Sequence, residues 1–267
     1  MNDKPIGIFD SGIGGLTVLK EIIHTLPHEN TVYLGDTARV PYGIRSPETV
    51  IRYSYENTQF LFSQDIKLLV VACNTASSIS LEAIKKRTGI PVIGVLEPGA
   101  QAAVAATKNK RVGIIGTEAT INSSSYTKAI QRIDDGIETY TKACPLFVPL
   151  VEEGWTDGPV ARAIADTYLQ DLLEKRIDTL VLGCTHYPLL KHVIADVTGE
   201  HMMLIDSAVE TSFVVKKILQ GTRLHREQKN APERKFFVTD SPDRFLDVGE
   251  RFLGQKITCI EKIMIGN

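Results

Sequence analysis

The stretch Leu69-Val70-Val71-Ala72-Cys73-Asn74-Thr75-Ala76 decides the fold. A run of apolar residues this short suits a buried strand, and the small polar residues after it open the next element. Cys73 therefore stands at a strand's exit. The pattern occurs again as Leu180-Val181-Leu182-Gly183-Cys184-Thr185-His186-Tyr187, and the offset between the cysteines, 184 − 73, is 111 residues. Two thiols at equivalent places in two similar halves point to two equivalent catalytic groups facing one pocket.

Outward from these strands the chain alternates. Pro5-Ile6-Gly7-Ile8-Phe9-Asp10 reads as a strand, Ser11-Gly12-Ile13-Gly14-Gly15 as a glycine-rich turn, and Leu16, Leu19, Ile23 and Leu26 as one stripe of a helix. The next strand, Thr31-Val32-Tyr33-Leu34-Gly35, runs into a loop that carries Pro41-Tyr42-Gly43. Ser46-Pro47-Glu48 has the form of an N-cap, a first-turn proline and an early carboxylate, so a helix starts there and carries Ile51, Tyr55, Thr58 and Phe62. The Cys73 strand, its helix and a strand at 91–95 follow.

From Glu97-Pro98-Gly99 the pattern restarts. Arg111-Val112-Gly113-Ile114-Ile115-Gly116-Thr117 resembles the first strand and sets Thr117 opposite Ser11. A strand is expected near Leu146-Phe147-Val148, leading to Val151-Glu152-Glu153-Gly154-Trp155 and a helix carrying Val160, Ile164, Tyr168 and Leu172. The Cys184 strand follows, then a helix opened by Thr185-His186-Tyr187-Pro188 and a strand at 202–206. This is a diverged internal duplication of an α/β unit. The remainder fits neither repeat: a helix around Ser212, Val215 and Leu219, a polar stretch at 221–234 that reads as solvated loop, the strand Phe236-Phe237-Val238, a helix with Phe245, Val248 and Phe252, and a last strand Ile257-Thr258-Cys259-Ile260. It is expected to return to the first domain. The domains then comprise 1–97 with 207–267, and 98–206.

Composition excludes several classes. The 267 residues are 43% hydrophobic and 23% charged, as in ordinary water-soluble proteins. No apolar run reaches the roughly 20 residues of a membrane span, and Met1-Asn2-Asp3-Lys4-Pro5 lacks the pattern of a signal peptide. A cytoplasmic protein is expected. A net charge of −2 gives no general attraction to nucleic acid. The four cysteines, Cys73, Cys144, Cys184 and Cys259, form no CxxC pair and are expected as free thiols, the second and last as ordinary residues of apolar segments.

Taken alone, a cysteine after a strand is more often structural than catalytic, but its recurrence with polar side chains directly after it favours catalysis. Each cysteine also stands where a helix is expected to begin, and N–H groups there favour a thiolate. Asp10 is either a cap over Gly12 or a carboxylate that orients or deprotonates Cys73. His186 could serve Cys184 in the same way, or hydrogen-bond to backbone. Glu152 is a further carboxylate, although Glu153 beside it could take the role. The glycine turn matches a dinucleotide fingerprint only in part, because Thr17 stands where the third glycine belongs. His24 and His28 have metal-ligand spacing, but Pro27 intervenes, so no metal is expected.

With Asp10-Ser11-Gly12-Ile13-Gly14-Gly15, Pro41-Tyr42-Gly43, Cys73-Asn74-Thr75 and Gly183-Cys184-Thr185-His186, the chain resembles, over essentially its full length, the glutamate racemases of the aspartate/glutamate racemase superfamily. The resemblance implies two α/β domains with mainly parallel sheets related by a pseudo-twofold axis, and an active site in the cleft between them. It implies exchange of L- and D-glutamate without a cofactor, supplying D-glutamate for peptidoglycan. Carried over, the catalytic pair is Cys73 and Cys184, assisted by Asp10, Glu152 and His186. The first thiol takes the α-proton of the D-enantiomer, the second that of the L-enantiomer. Asp10, Ser11, Pro41, Tyr42, Gly43, Cys73, Asn74, Thr75, Thr117, Thr185 and His186 match positions that hold the substrate, and members are often homodimers.

Chemistry agrees with this reading. Inversion of an α-carbon is simplest when one base removes the proton from one face and a conjugate acid delivers another to the opposite face. A duplicated thiol supplies both. Three rivals remain: an aspartate racemase, whose substrate is one methylene shorter; a dinucleotide-dependent enzyme built on the glycine turn; and a noncatalytic binding module.

Overall fold

A computed structural model describes residues 2–228 and 230–266. Its first half runs β1 (Ile6–Asp10), α1 (Leu16–Thr25), β2 (Thr31–Gly35), α2 (Pro47–Ser63), β3 (Leu68–Val71), α3 (Asn74–Ile79), α4 (Leu81–Lys85) and β4 (Val92–Gly94). Then come α5 (Leu96–Ala106), β5 (Arg111–Gly116), α6 (Glu118–Asn122), α7 (Ser125–Ile133), β6 (Glu138–Ala143), α8 (Phe147–Glu152), α9 (Gly158–Leu173), β7 (Thr179–Gly183), α10 (Lys191–Thr198) and β8 (Met203–Asp206). The chain ends with α11 (Ser207–Gly221), β9 (Arg234–Val238), α12 (Pro242–Leu253) and β10 (Ile260–Lys262).

Among the described residues the strands form two sheets, ordered β10-β9-β2-β1-β3-β4 and β6-β5-β7-β8, with parallel pairing throughout. The shared order, second strand, first, third, fourth, is the duplication in spatial form. It extends to single side chains. Gly7 faces Leu69 and Gly113 faces Leu180 in equivalent registers. A methyl group on either would come within 2.7 Å of Ile66 or 2.5 Å of Ile177, the residues that precede β3 and β7. Each half thus packs one isoleucine into the space left by one glycine.

Parallel strands covered on both faces are apolar without alternation. Leu68 to Val71 and Leu180 to Leu182 are fully buried, and each such side chain contributes about 1.5–3 kcal/mol through removal from water. One hydrophobic cluster runs through both halves, joining Ile8, Leu19 and Val70 to Leu180, Tyr187 and Val215. Helix α2 begins as its sequence predicts, with Pro47 in the first turn and the Ser46 Oγ accepting from the Thr49 N–H.

Several expectations are corrected. Leu146-Phe147-Val148 is not a strand: Phe147 and Val148 start α8, and the strand lies earlier, in the polar Glu138–Ala143, at the edge of the second sheet. The face of α2 that is buried carries Val50, Ser54, Asn57, Thr58 and Leu61. In α9, Val160 is exposed and Ala161, Ala165, Leu169 and Leu172 form the buried stripe. After Cys184 the chain makes a 3-10 turn, Tyr187–Leu190, before α10. The last strand is Ile260–Lys262, displaced toward the C-terminus. The polar stretch at 221–234 is not all solvated. Arg226 is buried and donates to the carbonyl of His28, while its N–H meets Glu29, which also binds the buried Lys67 at 2.6 Å. No described helix is long and apolar enough to cross a membrane.

Candidate active site

Parallel α/β sheets place ligands at the carboxyl ends of their strands. Here β1, β3, β5 and β7 direct their ends toward one cavity that is open to solvent on one side. Ser11, Pro41, Tyr42, Gly43, Cys73, Asn74, Thr75, Thr117, Thr185 and His186, all singled out above, line it together with Cys184. Asp10 and Glu152 do not. They stand behind the wall, Asp10 under the glycine turn and Glu152 behind His186. Among the described residues no lysine or arginine lines the cavity, and no cluster of His, Cys, Asp and Glu could hold a metal.

The glycine turn is explained by packing. A Cβ on Gly14 would lie 2.2 Å from Thr185 Oγ1 and 2.5 Å from His186 Nδ1, and one on Gly15 would lie 2.5 Å from the Asp10 Cβ. The turn is thin because the other half's Cys184 loop rests against it. Thr17 Oγ1 donates to the Thr185 carbonyl at 2.9 Å across the same boundary. His24 closes α1 as an exposed residue and His28 lies beyond its end, also exposed.

The thiols have different surroundings. Cys73 is 5% exposed and caps α3, its Sγ accepting from the Ala76 N–H at 3.5 Å, and it lies 3.6 Å from Ser11 Oγ. Burial, with the nearby Asp10 carboxylate, pushes its pKa up to about 12, so the N–H at the helix start does not by itself produce a thiolate. Cys184 is 6% exposed, with His186 Nδ1 at 3.9 Å. Its expected support from a helix start is replaced by this imidazole. His186 Nε2 meets Glu152 Oε1 at 3.2 Å. Burial works against the imidazolium, but the bonds to Cys184 and Glu152 outweigh it and carry His186 up to about 10. Glu152 is held below its usual range, first by its bond to His186, with Arg244 adding to the effect. Asp10 is fully buried, and desolvation raises its pKa despite the His186 charge and the N–H groups of Gly15, Gly12 and Ser11.

The remaining lining offers hydrogen bonds. Asn74 Oδ1 accepts from Tyr126 Oη at 2.6 Å, which turns the amide so that its buried Nδ2 keeps no partner. Thr75 and Thr117 share a hydroxyl bond of 3.0 Å between the halves, and Thr120 joins both. The Tyr42 hydroxyl is taken by Asp36 and Asn57, so its ring and backbone are what it presents. Sequence reasoning missed Val40, Ile44, Glu118, Pro145, Val148 and Pro149, which also line the cavity. Five of them are apolar and carry no chemical signal, and the loop around Pro41 and the corrected position of α8 place them; the sixth, Glu118, is a carboxylate in the first turn of α6, next to Thr117.

Comparison with known proteins follows the same geometry. A model of the family described as Asp/Glu/Hydantoin racemase matches residues 6–211. The chain is 59% identical over 262 residues to a glutamate racemase of Geobacter metallireducens, covering 98% of this chain and 97% of the relative. Among solved structures, a glutamate racemase isoform of Bacillus anthracis superposes with a TM-score of 0.95 at 41% identity, with 98% of each chain covered. The Francisella tularensis glutamate racemase, solved in complex with D-glutamate, gives 0.93 at 38% identity and the same coverage. With a family model over most of its length and close relatives over nearly all of it, the chain belongs to the Asp/Glu/Hydantoin racemase family and is an amino-acid racemase.

Proposed function

We propose that the chain interconverts L- and D-glutamate by two-thiol proton transfer, without a cofactor, and so supplies D-glutamate for peptidoglycan in the cytoplasm. The observation that carries this reading is that one cysteine from each half faces the same cavity. Burial holds Cys73 as the thiol, and the His186 imidazolium, kept by Glu152, stands 3.9 Å from Cys184. That combination starts on the enantiomer whose α-proton faces Cys184, which the family resemblance makes L-glutamate. The Cys184 thiolate takes the proton, Cys73 delivers its own to the opposite face, and the two groups finish with protonation states exchanged. D-Glutamate runs the steps in reverse.

The substrate's carboxylates are met by neutral donors. Asn74 lines the cavity and its buried Nδ2 has no partner, so a substrate acceptor that reaches it removes an existing desolvation cost. Hydroxyls of Ser11, Thr75, Thr117 and Thr185 supply further donors. Fixed dipoles in a water-poor cleft stabilise the charge that spreads into the α-carboxylate during transfer. Relatives at 59% and 41% identity that bear the name glutamate racemase favour glutamate over aspartate.

The test is incubation of the purified protein with D-glutamate in D₂O, following optical rotation and the α-proton signal by NMR. Loss of rotation with deuterium entering the α-carbon supports the proposal. If D-glutamate keeps both its rotation and its α-proton, the proposal is refuted. Turnover of D-aspartate alone would assign the rival substrate.

A further inference from the structure

Glu152 and His186 belong to the second half, yet the contacts that hold them from behind come from α12, at the far end of the chain. Arg251 Nη2 donates to the Glu152 carbonyl at 2.7 Å, one of the carbonyls that the end of α8 leaves without a helical partner. The guanidinium sits where Gly154 has no side chain. A Cβ there would lie 2.1 Å from Arg251 Nη1, and Gly154 has φ of +80°. Both the backbone conformation and the open space at residue 154 are therefore fitted to this arginine. Seven residues earlier, two turns along the same face, Arg244 Nη2 reaches Glu152 Oε2 at 3.3 Å. Next to Arg251, Phe252 sets its ring at 82° to that of His186, with centroids 5.1 Å apart. Helix α12 is anchored to the first half by Phe245, Val248, Phe252 and Leu253, all buried, with Phe245 against Tyr33.

We propose that α12 is the positioning element for the Cys184 side of the site, with Arg251, seated on Gly154, setting the place of Glu152 and through it of His186. The proposal rests on the two-thiol reading above. Both arginines are exposed, but Arg251 donates to the backbone carbonyl at 2.7 Å, whereas Arg244 reaches only the carboxylate, at 3.3 Å, and contributes less. Cys73 touches no part of this arrangement; its neighbours are Ser11 and the start of α3. Loss of Arg251 therefore slows proton transfer at one thiol only.

Rates alone cannot show which thiol is affected. The enantiomers have equal free energy, so kcat/KM must be the same in both directions, in every variant. Isotope effects escape this constraint. When transfer at Cys184 becomes slower, the effect seen with the α-deuterated enantiomer that Cys184 deprotonates rises, and that seen with the other falls.

The experiment compares the native protein with Arg251→Ala, Arg251→Lys and Arg244→Ala, using protiated and α-deuterated L- and D-glutamate, with thermal midpoints to verify folding. Arg251→Ala is expected to lower kcat about tenfold with KM within about twofold, as for a small misplacement of a reacting group. Lysine, which can still donate to the carbonyl, restores most of the rate, and in the alanine variant the two isotope effects diverge. A native rate in Arg251→Ala, or isotope effects that move together, overturns the proposal. Should Arg251→Ala not fold, Arg244→Ala decides: a smaller loss with the same divergence supports the proposal, and no divergence overturns it. Failure of the native protein to racemise glutamate would instead refute the proposed function, before any variant is compared.

Discussion

Replacement of Gly14 by alanine tests how tightly the two halves must meet. The added Cβ would lie 2.2 Å from Thr185 Oγ1 and 2.5 Å from His186 Nδ1, where ordinary contacts begin at 3.4 Å. The Cys184 loop must therefore retreat by 3.4 − 2.2, about 1.2 Å, relative to the turn. Overpacking of this kind costs about 1–3 kcal/mol of stability. The larger effect falls on the chemistry, because a displacement near 1 Å of a reacting group costs on the order of a hundredfold in rate, and His186 at 3.9 Å from Cys184 has little to spare. Gly12→Ala is the control: its nearest neighbour would be Val40 Cγ2 at 3.4 Å, an ordinary contact. Glutamate racemisation measured by circular dichroism, with a thermal melt of each variant, should show Gly14→Ala strongly impaired and still folded, and Gly12→Ala near native. Near-native turnover in Gly14→Ala would refute the argument that the turn is thin in order to seat the Cys184 loop.

Other expectations are independent of that one. Cys73→Ala and Cys184→Ala should each abolish racemisation, since either leaves one face of the α-carbon without its acid or base; a single variant with near-normal turnover would end the two-thiol assignment. Tyr126→Phe removes the bond that orients the Asn74 amide, so KM for glutamate should rise several-fold with little change in thermal midpoint, and an unchanged KM would count against Asn74 as a substrate donor. His186 is raised from 6.5 to about 10 in the folded state, so it contributes stability that is complete below pH 6.5 and lost as the pH rises through about 10. Urea unfolding across that window should show the decline, and Glu152→Gln should flatten it. Lys67→Met strips the ammonium, 2.6 Å away, from the buried Glu29 and leaves it only the Arg226 N–H; about 3–5 kcal/mol should be lost, and a melt within a degree of native would contradict it.

The parts of this fold that could be read in the sequence are those where burial is complete. Strands β3 and β7 are covered on both faces, so Leu68 to Val71 and Leu180 to Leu182 are continuous apolar runs, and the cysteines follow directly. Strand β6 is an edge strand with half-exposed residues, Glu138-Thr139-Tyr140-Thr141-Lys142-Ala143, and burial leaves no mark on it. Its Thr and Tyr residues were the available signal. Leu146-Phe147-Val148 is the stronger apolar run, although it starts a helix. Asn57 is fully buried on α2 because it holds the Tyr42 hydroxyl, a tertiary demand that helix periodicity does not encode. At the site, the thiols, the histidine and the hydroxyls are legible because they recur in both halves or follow a strand, whereas Glu118 reads as an ordinary first-turn carboxylate of α6, and the apolar wall of Val40, Val148 and Pro149 is silent because an apolar residue facing a cavity has the same composition as one facing a core. Arg251 is silent in the sequence for a related reason: it is an exposed helix-borne arginine, and only the space above Gly154 distinguishes it from its neighbours.

Strands β9 and β10 leave the ribosome after the whole second half, yet β9 pairs with β2, which leaves before it. The first sheet must therefore wait, with the edge of β2 unpaired, while the whole second half is synthesised. Unpaired edges invite association with other chains, so the nascent protein is exposed for most of its synthesis. The same interval leaves Tyr33 without Phe236 and Phe245, and His186 without Phe252. Both thiols are made well before the segment that completes their surroundings, and a chain released early would carry every cavity-lining residue without the helix that packs behind His186.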